Sequence, residues 1–222
     1  ESVLGENAVS KTLIENDFYL AQAYLDGGKL NEAIRVMEKV DAHKKAETRH
    51  TSFLCKLYLA NSDWTNFLRI LKQLEISETS SQEIDFLKAQ YYFATQDFNK
   101  ALALFEKISK SSTSAALHHL IAKTYLKLGV LKSAQHYFKS SLALNKEIAQ
   151  NWTELAKLFI GKNEFEEALD LLLNSLEYIF QNPETHKLIG VCLVELKHYQ
   201  EAAKALELSL SQNEQQLEVL EL

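Results

Sequence analysis

An internal repeat runs through most of this chain and limits how it can fold. Five stretches resemble one another: GGKLNEAIRVMEKV (27–40), SDWTNFLRILKQL (62–74), TQDFNKALALFEKI (95–108), GVLKSAQHYFKSSL (129–142) and NEFEEALDLLLNSL (163–176). A sixth, KHYQEAAKALELSL (197–210), fits the same frame. Anchored on Ala33, Phe67, Ala101, Ala134, Ala168 and Ala202, the spacings are 34, 34, 33, 34 and 34 residues. A period of this length points to stacked supersecondary modules, none of which can bury its apolar face alone.

Each repeat reads as two helices. Twelve residues before each anchor stands a small residue: Ala21, Cys55, Ala89, Ala122, Ala156 and Gly190. Three residues further on stands a large ring in five repeats, Tyr24, Tyr58, Tyr92, Tyr125 and Phe159, with Leu193 in the last. Four residues after each anchor comes a bulky side chain: Met37, Leu71, Phe105, Phe138, Leu172 and Leu206. Small residues allow two helices to approach closely, and large ones fill the space where their ridges interlock. Polar breaks such as Asp26-Gly27-Gly28 and Gly161-Lys162-Asn163 supply the helix stops.

This pattern resembles the tetratricopeptide repeat family, whose 34-residue helix–turn–helix carries aromatic, Leu-Gly, Tyr, Ala and Phe positions. Trp152, Leu155, Ala156, Phe159 and Ala168 reproduce it most fully, followed by Ile121, Ala122, Tyr125, Ala134 and Phe138. The resemblance covers 14–216, framed as 14–47, 48–81, 82–114, 115–148, 149–182 and 183–216. It implies an all-α solenoid, a right-handed superhelix with a concave wall formed by the first helix of each repeat. Three departures stand out: Phe67 in place of a small anchor, Lys88 in place of a leucine, and inter-repeat prolines missing except for Pro183. The serine-rich stretch 109–114 reads as an ordinary loop inside one array. Residues 1–13 read as an extension or capping helix, and 217–222 as the start of a capping or truncated helix whose apolar edge invites self-association. Glu1 in place of a methionine points to a fragment or processed chain.

Composition narrows the function classes. With six glycines and one proline, the chain has too few turn residues for a many-turned β-sandwich or barrel. A formal net charge of −6, and only three arginines (Arg35, Arg49 and Arg69) among 24 basic residues, argue against a nucleic-acid partner. No apolar run approaches the roughly 20 residues of a membrane span. The scattered glycines build neither a phosphate loop nor a Gly-x-Ser-x-Gly elbow, and His-Glu-x-x-His is absent. His118 and His119 are adjacent, so they point in different directions on a helix and are poorly placed to share a metal. His118 falls at the bulky aromatic place that Trp152 and His186 occupy later, and Cys55 and Cys192 fall at or beside small-residue places, where buried thiols are inert. No enzyme, metal or cofactor motif emerges.

Function is therefore expected in the concave wall. The inward-facing places that the resemblance implies are Phe18 and Gln22, Ser52 and Lys56, then Phe86 and Gln90. The row continues with His119 and Lys123, Thr153 and Lys157, then Lys187 and Val191, with Arg49 and Leu126 among the flanking places. Lys56, Lys123 and Lys157 occupy one register position, which predicts a lysine row suited to an extended partner segment with acidic groups and spaced apolar side chains. The family's clamp for chaperone tails needs a lysine–asparagine–asparagine–lysine–arginine set that these places do not hold. The resulting expectation is a non-catalytic scaffold for a partner protein or peptide. The alternative is the regulatory or assembly region of a larger enzyme or complex.

Overall fold

The computed structural model describes residues 2–42, 47–77, 81–179 and 181–220, with side chains from 12 to 212 of that set. The described residues form twelve α-helices and no strand. They fall into two compact bodies, 1–104 and 105–222. The N-terminal body holds α1 (Ser2–Asp26), α2 (Leu30–Asp41), α3 (Thr48–Ala60), α4 (Trp64–Ile76) and α5 (Ser81–Ala94). The division falls inside α6 (Phe98–Ser109), between Leu104 and Phe105 and upstream of the serine-rich 109–114 stretch. The C-terminal body continues with α7 (Ala115–Lys127), α8 (Leu131–Leu144), α9 (Ala149–Ile160), α10 (Phe165–Ser175), α11 (Pro183–Glu195) and α12 (Tyr199–Leu220).

Each repeat turns between its helices in the same way. Gly28, Ser62, Gln96, Gly129, Asn163 and Lys197 all have positive φ, from 56° to 74°. Their spacing is that of the anchors. In each case the next residue's N–H bonds the carbonyl five positions back, at 2.8–3.0 Å. The acceptors are Tyr24, Tyr58, Tyr92, Tyr125, Phe159 and Leu193, the ring row of the sequence pattern. These are the left-handed, six-to-one closures that satisfy orphan carbonyls at a helix end. A bulky residue then opens every second helix: Leu30, Trp64, Phe98, Leu131, Phe165 and Tyr199.

The two small-residue rows lie at the helix crossings. Ala21, Cys55, Ala89, Ala122 and Ala156 are fully buried, as are the anchors Ala33, Phe67, Ala101, Ala134 and Ala168. At Gly190 a Cβ would stand 2.6 Å from the Leu206 side chain, so this crossing has room only for glycine. Phe67 does not open a gap. Its ring is buried and stacks on Tyr91 of α5 at 5.3 Å and 14°, so the large anchor joins the core of the following repeat. Lys88, a second departure, pairs with Glu75 of α4. Both cysteine thiols are buried, which pushes them up to about 12 (Cys55) and about 11 (Cys192).

Polar ties repeat as well. Tyr58 Oη donates to Glu38 at 2.7 Å, and Tyr125 Oη donates to Glu106, its counterpart in register. Burial and the Glu38 carboxylate push Tyr58 up to about 12, while the Glu106 hydrogen bond and burial do the same for Tyr125. Ser141 Oγ donates to the Ala115 carbonyl and Ser209 Oγ to the Pro183 carbonyl, both at 2.7 Å. These bonds fasten the second helix to the first residue of its partner helix.

At the ends, one helix runs through 2–26 and another through 199–220. Residues 217–220 thus lie within α12, but the side chains of 213–220 and all of 221–222 fall outside the described residues, as does the apolar edge predicted there.

Candidate functional site

In the C-terminal body, the first helices of successive repeats build a groove. His119 and Lys123 are one helical turn apart on α7, and Thr153 and Lys157 are one turn apart on α9, so each pair shares a face. All four line a cavity of about 500 Å³. The caps orient these helices. Ser114 accepts from the Leu117 N–H to start α7, and Asn182 accepts from Glu184 and Thr185 to start α11, with Pro183 in its first turn. That cap places Asn182 and Glu184 on the groove beside Gln150 and Glu154.

The groove's charge is mixed. Lys157 Nζ lies 3.1 Å from Glu154 and 3.3 Å from Glu184. Burial disfavours its charge, but the two carboxylates outweigh this and hold its pKa above the ordinary value. Lys187 does not line the groove but meets Glu184 at 3.5 Å. Three lysines (Lys123, Lys127 and Lys157) face two glutamates, a formal excess of one positive charge.

In the N-terminal body the predicted residues form two clusters. The Phe18 ring meets His50 and Phe53 edge-on at 5.1 and 5.3 Å, and the Arg49 guanidinium lies 5.6 Å from its centre. Arg49 also pairs with Glu15 and Glu47. The second cluster is Lys56, 3.1 Å from Glu83, whose carboxylate also accepts from buried Ser52. The Ser52 bond and Lys56 hold the Glu83 pKa below its ordinary value against opposing burial. Gln22, Phe86 and Gln90 are half-buried on α1 and α5.

Residues 115–148, which hold α7 and α8, match the tetratricopeptide repeat family model. The fold is of tetratricopeptide-repeat type. Solved structures agree in fold. The structure of PilF from Pseudomonas aeruginosa superposes with a TM-score of 0.71 at 16% identity, covering 94% of this chain and 98% of that one. TTC0263, a thermophilic protein of the same repeat type from Thermus thermophilus, gives 0.65 at 18% identity over 82% and 99%. YrrB, a repeat protein with an unusual peptide-binding site, gives 0.58 at 15% over 79% and 91%. At such identities the likeness is one of fold. Comparison with curated proteins found no match.

Sequence reasoning missed the acidic partners within this repeat frame. Glu83 and Glu184 stand at the register position of Arg49, and each pairs with a lysine of the preceding repeat, Lys56 and Lys157. The signal was available, because the same spacing that aligned the lysines aligns these glutamates one repeat later. The lysine row predicted from spacing is thus charge-matched at those two places. At the third, the residue in register after Lys123 is Gln150, which is uncharged. Also missed was the buried Asn151, which ties His119 to Ser141. Among the described residues, no group of three or more His, Cys, Asp or Glu side chains is arranged to hold a metal, and no helix is long and apolar enough to cross a membrane.

Proposed function

We propose that this protein is a non-catalytic interaction scaffold that holds an extended segment of a partner protein in the groove of its C-terminal body. The observation that carries this reading is the meeting of His119, Lys123, Thr153 and Lys157, equivalent places on two successive first helices, around one cavity of about 500 Å³. Such a surface offers donors along its walls and one apolar side chain, Leu126, which suits a segment with acidic groups and spaced apolar side chains. The repeat frames from 14 to 216 are its structural units in this proposal. Phe18, Gln22, Arg49, Lys56, Phe86 and Gln90 form the corresponding surface of the N-terminal body.

The test begins with peptides selected from a random displayed library on the intact chain. For a selected peptide, Lys123→Gln is expected to weaken binding by about 0.2–1 kcal/mol, with a larger effect at low salt. Lys132→Gln, on the second helix of the same repeat and outside the groove, is expected to leave affinity unchanged. Equal losses from the two variants would contradict the groove assignment. Neutral glutamine is the appropriate replacement in this row. A glutamate at 56 or 157 would face Glu83 or Glu184 directly and confound binding with stability.

A further inference from the structure

The α7 side of the groove carries a hydrogen-bond chain whose direction can be deduced. It starts at the Ala115 carbonyl, an atom that can only accept. Ser141 Oγ lies 2.7 Å away, so the hydroxyl hydrogen points there. The Ser141 lone pairs must then accept from Asn151, whose Nδ2 is 2.7 Å away. This sets the orientation of the Asn151 amide and leaves Oδ1 facing His119 Nδ1 at 2.6 Å. Two acceptors cannot share so short a contact, so Nδ1 carries the hydrogen. A neutral imidazole has one N–H, and Nε2 is therefore an acceptor. Ser141 and Asn151 are fully buried, so water does not compete for these bonds.

His119 itself lines the cavity. One ring nitrogen is held in the buried chain, and the other remains for the groove. We infer that His119 Nε2 is a pre-set acceptor that selects, within the bound segment, a neutral hydrogen-bond donor: a serine or threonine hydroxyl or an asparagine or glutamine amide. This rests on the groove being the binding surface. It adds a complement to the lysines. The cationic side chains take acidic groups, while His119 takes a donor that a carboxylate cannot supply. Ser141 and Asn151 act as positioning residues, since they reach the ligand only through the imidazole.

Two measurements test this. The first needs no ligand: long-range proton–nitrogen correlation on the free protein, at a pH where the His119 ring is neutral, reads which nitrogen is protonated. Hydrogen on Nδ1 is expected, and hydrogen on Nε2 would overturn the inference. The second compares displayed random peptides selected on the wild-type chain and on His119→Phe. Wild-type selection is expected to enrich Ser, Thr, Asn or Gln at one peptide position, and His119→Phe to lose that enrichment. A wild-type-selected peptide should bind His119→Phe about three- to ten-fold more weakly, the range of a single neutral hydrogen bond. His119→Gln, which keeps a side-chain acceptor, should recover part of the loss. Unchanged enrichment on His119→Phe would overturn the inference while leaving the groove standing. Failure to select any peptide on the wild-type chain would overturn the groove reading and this inference with it, whatever the tautomer.

Discussion

Single residues in this fold carry geometry that their own chemistry does not always favour. The left-handed turn position is held by glycine at 28 and 129 and by asparagine at 163, but by Ser62, Gln96 and Lys197 in the other repeats. A non-glycine residue there costs about 1–2 kcal/mol, and glycine gives back about 0.4–1 kcal/mol through its greater freedom in the unfolded chain. Gln96→Gly and Lys197→Gly are therefore expected to stabilise the protein by roughly 0.5–1 kcal/mol each, a rise of about 1–4 °C in melting temperature. Lys197→Ala, which keeps a Cβ, should give no such rise, and equal melting of the alanine and glycine variants would contradict the assignment. This position was only partly legible in the sequence. Glycine and asparagine announce a turn, whereas lysine, glutamine and serine do not, and only the period carries the position across all six repeats.

At the scale of helices, the small and large rows were legible because steric exclusion at a crossing leaves few side chains that fit. Phe67 was the exception. Counting residues within its own repeat marks it as a misfit, while its stacking on Tyr91 is a contact with the next repeat that no local pattern encodes. The lysine row was read one side at a time for the same reason, since the partners of Lys56 and Lys157 lie 27 residues further along the chain in each case. The Lys56–Glu83 tie between α3 and α5 has a pH signature. Glu83 has a folded pKa below its ordinary 4.5. Its contribution is therefore fully present above that value and is lost as pH falls through the lower folded pKa. Glu83→Gln should melt below the wild type near neutral pH, and the gap should narrow as pH falls from about 6 to about 3. Thermal unfolding across that range measures it, and a constant gap would contradict the account.

For the whole molecule, the chain folds as helix pairs of tetratricopeptide-repeat type, with equivalent bonds recurring from repeat to repeat and exceptions absorbed by neighbours. The fold was readable because its period is long and held six times. The candidate site was readable only one first helix at a time, since Glu184 and Asn151, which set its charge and hydrogen-bond direction, stand on the first helix of the repeat after the residue each one meets. The proposed role of the first helices of the C-terminal body is to hold an extended peptide. It is tested most directly by titrating a library-selected peptide into the isotopically labelled protein and following amide and side-chain resonances. The largest shifts are expected on His119, Lys123, Thr153 and Lys157 and their immediate neighbours, with α8 and α10 little affected. Shifts concentrated on α8 and α10, with the four groove residues unmoved, would contradict it.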